Sequence, residues 1–174
     1  VTAIRKFVDE GGGFIGVGEP TAYQHQGRYF QLSDVMGVDR EMGFSLSTDK
    51  YNTCDPHHFI LEDIDGKIDF GEGTSRIYAQ GKHYQILAQD GEYSQLVVNE
   101  YGRGHSVYFA GLPYSPQNCR ILLRAIYYAA GMPEEMKHYY VTNVDTEVTV
   151  FPETKRIAVI NNADAEEKTD LYIK

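Results

Sequence analysis

The sequence predicts an α/β fold followed by the opening strands of a β domain, and three patterns support this. A helical period over residues 1–10 leads into a short apolar run, 14–18, which is too short for a helix and suits a strand covered on both faces. A second amphipathic pattern, over 116–130, predicts a helix on the same sheet. Short β-type runs without helices then follow. We therefore expect an α/β domain over residues 1–136 and the start of a β domain over 137–174.

The first helix ends at a glycine-rich segment that mimics a nucleotide motif. Gly11, Gly13 and Gly16 match the letters of the dinucleotide fingerprint. That fingerprint follows a strand and opens a helix, whereas here a helix precedes it and a strand follows. The glycines are therefore expected to stop the helix, with Gly11 as its C-terminal cap, and to allow close packing of the strand.

The strand over 14–18, expected near the centre of a largely parallel sheet, delivers a polar and aromatic loop. Glu19-Pro20 ends it, because a proline cannot donate to a sheet ladder, and open α/β sheets bind ligands at the carboxyl ends of their strands. The loop mixes aromatic faces with groups that make several hydrogen bonds, a composition that suits a sugar. The candidate substrate-binding residues are Glu19, Tyr23, His25, Arg28 and Tyr29.

Each candidate also has a structural interpretation. Glu19 could cap a helix or contact another domain, and the aromatic residues could pack in an interface. Arg28 could bind phosphate or form a surface ion pair. Asp55-Pro56-His57-His58 offers two imidazoles and a carboxylate, but adjacent residues rarely converge on one ion, so a solvated turn is the favoured interpretation.

The middle of the chain predicts a short helix, several strands and a long helix. The short helix falls within 30–36, with Gly37 as its cap, before a polar segment over 39–55. Ser115 is the expected N-cap of the 116–130 helix. Strands are expected over 77–79, 84–88, 95–100 and 105–112, the last two as an antiparallel pair, with hairpin-type turns at Gly81-Lys82 and Asp90-Gly91.

Composition narrows the functional classes. Sixteen basic against 25 acidic residues give a net charge of −9, which argues against a nucleic-acid partner and against an anionic membrane surface. No apolar run approaches the ~20 residues of a membrane span. Cys54 and Cys119 lack metal-type spacing and are expected to be reduced and structural. The chain starts at Val1 inside an expected helix, so we expect a piece of a longer protein.

Five motifs spread along the chain together resemble one enzyme family. They are GGGFIGVGEP at 11–20 with the following Gln26-Gly27 and Gln31-Leu32, DKYN at 49–52, YGRGHSVY at 101–108, GLPYS at 111–115 and VINN at 159–162. With them the chain resembles the 1,3-β-galactosyl-N-acetylhexosamine phosphorylases, also called lacto-N-biose phosphorylases, of glycoside hydrolase family 112.

The resemblance implies a cytoplasmic enzyme of three parts. A TIM-like barrel carries the active site and the proton donor, and the other two parts are a Rossmann-like, amidotransferase-like α/β domain of the β-galactosidase trimerisation type and a C-terminal β domain. This chain would hold the α/β domain without its N-terminal part, and the start of the β domain. It would contain no catalytic residue, and the resemblance is compatible with a homodimer.

The implied reaction is phosphorolysis. The family cleaves β-galactosyl-(1,3)-N-acetylhexosamine, or a rhamnoside in a sister group, with inorganic phosphate and inversion to α-galactose 1-phosphate. No metal and no organic cofactor is implied. The alternative is an independent small-ligand-binding or amidotransferase-like module. An amidotransferase needs a cysteine at the strand-to-helix elbow, but the elbow here reads Gly18-Glu19-Pro20.

Overall fold

The computed structural model describes residues 1–21, 29–42 and 53–174. Its helices are α1 (Thr2–Asp9), α2 (Ser33–Met36), α3 (Pro116–Ala129) and α4 (Pro133–Met136), with 3₁₀ turns at Phe59–Leu61 and Pro152–Thr154. Its strands are β1 (Gly13–Val17), β2 (Val38–Arg40), β3 (Ile77–Ala79), β4 (Tyr84–Asp90), β5 (Tyr93–Tyr101), β6 (Gly104–Phe109), β7 (Tyr139–Val141), β8 (Thr146–Phe151), β9 (Arg156–Asn161) and β10 (Leu171–Ile173). Within these ranges, no helix combines the length and the apolarity that crossing a bilayer requires.

The main sheet is mixed, with the strand order β1-β6-β5-β4. β5 and β6 pair antiparallel, as expected, and β1 pairs parallel with β6, so that Ile15 lies opposite Val107. The expectation of a largely parallel sheet with β1 near its centre was wrong: within the described ranges β1 is an edge strand, in the single parallel pair of this sheet. The turns at Gly91 and Gly102 are too short for a parallel crossover, so the strands they join must run antiparallel.

Both faces of β1 are nevertheless covered, as its apolar composition indicates. Phe14 packs against the core cluster that contains Val8 of α1, whereas Ile15 packs against a second cluster that contains Ile121 of α3. Alternate side chains of a strand point to opposite faces, so α1 and α3 lie on opposite sides of the sheet. The expected packing of both helices on the sheet is therefore confirmed, in a small α/β domain.

A second, two-stranded sheet lies beside the main one. β2 and β3 pair antiparallel, with Val38 opposite Ala79 and Arg40 opposite Ile77. The expected hairpin at Gly81-Lys82 was therefore wrong, because β3 pairs with a strand far upstream instead of with β4. α2 is shorter than expected but ends as expected at Gly37, whose φ of 68° is left-handed.

The long helix α3 is capped at its start and is hydrogen-bonded to the β-rich end of the chain. Ser115 caps α3, because its hydroxyl accepts a hydrogen bond from Asn118 N at 3.0 Å. β7 pairs with β10, and β8 pairs with β9. Arg120 of α3 donates hydrogen bonds to the carbonyl oxygens of Asn143 and Thr146, between and within these strands. These bonds fasten the β-rich end to the α/β domain.

Candidate functional site

The candidate site begins where the parallel pair β1 and β6 ends. Gly18 follows β1 with φ 65°, in the left-handed region that favours glycine. Its N–H donates to Phe109 O at 2.8 Å, and its carbonyl accepts a bond from the Tyr108 hydroxyl at 2.9 Å. Burial raises the pKa of Tyr108 far above its ordinary value, so this hydroxyl stays protonated and donates. Glu19 therefore leaves the sheet from a fixed backbone.

A buried carboxylate fixes the other side of the site. Asp39 is 1% exposed, and its Oδ1 accepts hydrogen bonds from the backbone N–H groups of Tyr29, Phe30 and Arg40 at 2.9–3.0 Å. A buried carboxylate is costly unless such donors satisfy it. Asp39 therefore ties the chain at Tyr29 to the start of β2, which places Tyr29 and Arg40 beside each other.

Glu19, Tyr29 and Arg40 converge at this point. The Tyr29 hydroxyl donates to Glu19 Oε1 at 2.8 Å, and Arg40 Nη1 lies 2.5 Å from the same oxygen. Arg40 Nη1 also donates to the Tyr29 hydroxyl at 2.7 Å, and its guanidinium carbon lies 4.9 Å from the centre of the Tyr29 ring. We call these three residues the Glu19 cluster. It presents a charged acceptor, a hydroxyl and a guanidinium at one edge of the sheet.

A cavity of about 500 Å³ adjoins the Glu19 cluster. Its lining residues are Tyr29, Arg40, Glu41, Met42, Ser75 and Arg76. This depression is open to solvent, and its lining mixes charged and hydroxyl groups with the apolar side chain of Met42. Glu19 is not one of the lining residues and borders the cavity through its partners Tyr29 and Arg40; its side chain is 33% exposed and that of Arg40 is 28% exposed. Such an arrangement can bind and orient a polyhydroxylated molecule.

Two of the five predicted site residues, Glu19 and Tyr29, are brought together by the structure. Tyr23, His25 and Arg28 lie outside the described residues. The sequence interpretation missed Asp39 and Arg40, because it treated 39–55 as one polar segment. The pair begins two residues after the glycine helix cap at Gly37, in the short strand β2, and no local sequence pattern marks it as part of a site.

The Asp55 to His58 segment has the geometry of a turn. His58 caps the 3₁₀ turn, with its Nδ1 accepting a hydrogen bond from Ile60 N at 3.2 Å, and its ring lies edge-on to Tyr128 at 4.8 Å. Burial lowers the pKa of His58, which favours the neutral ring that can accept this bond. His57 instead pairs with Asp55 at the surface, at 2.9 Å. The two imidazoles thus have separate roles.

The thiols do not support an amidotransferase-like site. Cys54 is a free cysteine that packs partly buried against the core cluster of α1. Burial and the charge of Asp55 raise its thiol pKa, which reduces the thiolate fraction that a nucleophile needs. Cys119 is also free and lies within α3.

Comparison with known proteins assigns the chain to a family. A sequence model of the lacto-N-biose phosphorylase central domain matches residues 1–134, and a model of the C-terminal domain of the same proteins matches residues 139–174. The chain belongs to the lacto-N-biose phosphorylase family. It is also 52% identical, over 98% of its length, to a 1,3-β-galactosyl-N-acetylhexosamine phosphorylase of Lachnoclostridium phytofermentans.

Other relatives extend the comparison. A 1,3-β-galactosyl-N-acetylhexosamine phosphorylase of Bifidobacterium longum is 37% identical over 99% of the chain, and a D-galactosyl-β-1,4-L-rhamnose phosphorylase of L. phytofermentans is 30% identical over all of it. The chain spans 24% of the first relative, 27% of the second and 24% of the third. The chain therefore corresponds to about a quarter of the length of these proteins.

Glycines in three of the five motifs fall at places of close packing, whereas the motif at 159–162 is exposed. A side chain at Gly104 would collide with the carbonyl oxygens of Val8 and Gly12, and one at Gly13 would collide with Ala129. Gly111 lies equally close to Phe70. These glycines hold helices and loops against β1 and β6. Glu19 is the motif residue, among those that the structure describes, that belongs to the Glu19 cluster. The DKYN motif at 49–52 lies outside the described residues.

Proposed function

We propose that this chain forms the central α/β domain and the start of the C-terminal β domain of a galactoside phosphorylase, and that it carries no catalytic residue itself. The family match along the chain, together with its span of about a quarter of the relatives, supports this proposal. We place the domain boundary at residues 136–137. The finer proposal for the α/β domain is a Rossmann-like architecture of the β-galactosidase trimerisation type, in a cytoplasmic enzyme that forms a homodimer.

The proposed reaction of the whole enzyme is inverting phosphorolysis of β-galactosyl-(1,3)-N-acetylhexosamine. A phosphate oxygen bonds to the anomeric carbon from the face opposite the leaving group, the glycosidic carbon–oxygen bond breaks, and a carboxylic acid gives its proton to the leaving oxygen. We place that acid in a barrel outside this chain. Phosphate is already a nucleophile, so the proposal needs neither a second carboxylate nor a metal or organic cofactor. The relatives at 52% and 37% identity are 1,3-β-galactosyl-N-acetylhexosamine phosphorylases, which supports N-acetylhexosamine as the acceptor sugar.

Within this enzyme, we assign the candidate residues a role in holding sugar hydroxyls. Glu19 acts as a hydrogen-bond acceptor, and Tyr29 contacts the sugar. For Tyr23, His25 and Arg28, which lie outside the described residues, the assignment rests on the sequence alone: Tyr23 and His25 contact the sugar, and Arg28 contributes to the phosphate subsite. The observation that carries the assignment is the Glu19 cluster beside a cavity of about 500 Å³. An ion-paired carboxylate is a strong acceptor, which suits substrate binding better than proton donation.

The division of labour is tested with the chain alone. The 174-residue chain, incubated with galactosyl-β-1,3-N-acetylglucosamine and phosphate, should form no galactose 1-phosphate above a blank, with or without a divalent metal. The longer enzyme that contains this chain should form it. Product from the chain alone would overturn the proposal. Saturable binding of another small ligand by the chain, with an inactive longer protein, would favour the independent module.

The role of Glu19 is tested in the longer enzyme. Glu19→Gln should lower kcat/KM by about tenfold or more, because a hydrogen bond to a charged group contributes ~1.5–3 kcal/mol and each 1.4 kcal/mol is about tenfold. Tyr29→Phe should have a smaller effect, since it removes one neutral hydroxyl. Asp55→Asn, at an exposed carboxylate, is the control. Unchanged kinetics with a lower thermal midpoint would make Glu19 a structural ion pair.

A further inference from the structure

The geometry points to Arg40 as a positioning residue for substrate binding: we infer that it sets the relative orientation of Glu19 and Tyr29. This inference rests on the proposed function of that pair. The three members of the Glu19 cluster all contact one another, and Arg40 bonds to both others through a single atom, Nη1, at 2.5 Å from Glu19 Oε1 and 2.7 Å from the Tyr29 hydroxyl. What distinguishes Arg40 is its place on β2, where its own backbone N–H is bonded to the buried Asp39. The residues next to Glu19 in the sequence do not indicate Arg40, because the two residues are 21 positions apart.

The rigidity of Arg40 comes from its backbone. Its N–H donates to the buried Asp39 at 2.9 Å, and its register in β2 places it opposite Ile77 of β3. The Arg40 side chain then extends from a strand that is held on one side by a carboxylate and on the other by a strand partner. A guanidinium that extends from a fixed backbone can determine the positions of the two groups that accept its hydrogen bonds.

Arginine suits this role better than lysine. Its guanidinium bonds to the Glu19 carboxylate and the Tyr29 hydroxyl and lies 4.9 Å from the centre of the Tyr29 ring. A lysine ammonium can pair with Glu19 and attract the Tyr29 ring, but it is a compact and more strongly hydrated charge without a planar face, so it should hold the two groups less firmly. Without Arg40, the Glu19 carboxylate and the Tyr29 hydroxyl are still present, but their relative orientation is no longer fixed. Substrate must then order both groups as it binds.

The test is steady-state phosphorolysis by the longer enzyme with variants of this chain. Arg40→Met should raise the KM for the galactosyl disaccharide about fivefold to about twentyfold and change kcat by less than about twofold, because ordering of a binding group weakens substrate affinity more than the chemical step. Arg40→Lys should fall between wild type and Arg40→Met. It also keeps the test decisive if the Met variant does not fold. A wild-type KM for Arg40→Lys would overturn the inference.

A double-mutant cycle separates positioning from independent binding. If Arg40 acts through Glu19, Arg40→Met should add less than about twofold to the KM of Glu19→Gln. Additive effects would overturn the inference. The matched control is Arg5→Met, which removes the 2.8 Å ion pair between Arg5 and Asp34. The side chains of that pair are 34% and 35% exposed, similar to the 28% and 33% of Arg40 and Glu19. Arg5→Met should lower the thermal midpoint and leave KM unchanged.

The two levels of the proposal fail in different ways. A raised KM for Glu19→Gln with wild-type kinetics for Arg40→Met would overturn the positioning role alone and leave the sugar-binding role of Glu19 intact. Wild-type kinetics for both variants would overturn the proposed role of the Glu19 cluster in substrate binding, and the positioning role with it. A lower thermal midpoint without any change in KM would make Arg40 a structural residue only.

Discussion

Removing the carboxylate of Asp63 should strongly destabilise the chain, because it leaves two buried arginines facing each other. Asp63 Oδ2 accepts from Arg120 Nη1 at 2.8 Å and from Arg124 Nη2 at 2.7 Å. The guanidinium side chains are only 9% and 6% exposed, and Asp63 is 27% exposed. Burial lowers the pKa of Arg124, and the charge of Asp63 offsets part of that lowering. The carboxylate therefore balances charge that the interior disfavours.

The size of the effect follows from this burial. Breaking a fully buried ion pair on one side costs ~3–5 kcal/mol, and the partial exposure of Asp63 reduces this to about 2–3 kcal/mol for Asp63→Asn. For a chain of this length, the thermal midpoint should fall by about 5–10 °C. The chain has no tryptophan and 14 tyrosines, so near-ultraviolet circular dichroism reports the transition. Asp55→Asn, at a surface pair, should change the midpoint by less than about 1 °C.

A second substitution checks the physical reason. Arg124→Met alone removes the donor to Phe59 O and should also destabilise. In the Asp63→Asn background it also removes one of two repelling charges, so the double variant should lose less than the sum of the single losses. Additive losses would refute the argument from charge. So would a midpoint for Asp63→Asn equal to that of the Asp55→Asn control.

Two further predictions follow from buried contacts. Burial lowers the pKa of His58 below 6.5, so the unfolded chain takes up its proton first and the free energy of unfolding should fall as the pH drops below about 6.5 towards the folded pKa. His58→Asn keeps an oxygen acceptor for the cap and should reduce the pH dependence of the thermal midpoint between about pH 7.5 and about pH 5. An equal pH dependence in both proteins would contradict this. Gly104→Ala should abolish or severely impair folding, measured by circular dichroism, because its Cβ collides with the carbonyls of Gly12 and Val8. Gly91→Asn, at φ 56° in open space, is its tolerated control, and a native spectrum for Gly104→Ala would refute the packing argument.

The local features of the fold could be predicted from the sequence because their causes are local. Ser115 before a proline, and an apolar stripe after it, predicted α3 and its N-cap. The turn at Gly102 between two apolar runs predicted the antiparallel pair β5–β6. Each of these signals lies within a few residues of the structure that it determines.

The arrangement of the strands could not be predicted in the same way. The position of β1 at an edge depends on which strands pair with β6. The pairing of β3 with β2 depends on residues about 40 positions apart in the sequence, such as Ala79 opposite Val38. Gly81 looked like a hairpin residue, and it does adopt φ 103°, but the same conformation serves any sharp connection. Turn chemistry thus indicates that a chain reverses, not which strand it then joins.

The residues of the candidate site also differ in whether the local sequence predicts them. Glu19 could be predicted because a proline directly after an apolar run marks the end of a strand, and strand ends present side chains to ligands. Arg40 could not, because its place depends on three separated segments: the end of β1, the chain at Tyr29 and the start of β2. Asp39 joins the last two through backbone N–H groups, a role that the letters of the sequence do not distinguish from an ordinary surface carboxylate.

This division bears on how function should be inferred for similar chains. The glycine-rich motif at 11–20 mostly reports close packing of β1, so a chain can keep that motif and lose the chemistry of the Glu19 cluster. The cluster requires a guanidinium on β2 as well as the carboxylate after β1. Asp39 in front of Arg40 is part of the same requirement, because it fixes the backbone from which the guanidinium extends. A chain with the glycines but without the Asp39-Arg40 pair should therefore share this fold and hold its carboxylate in a different geometry.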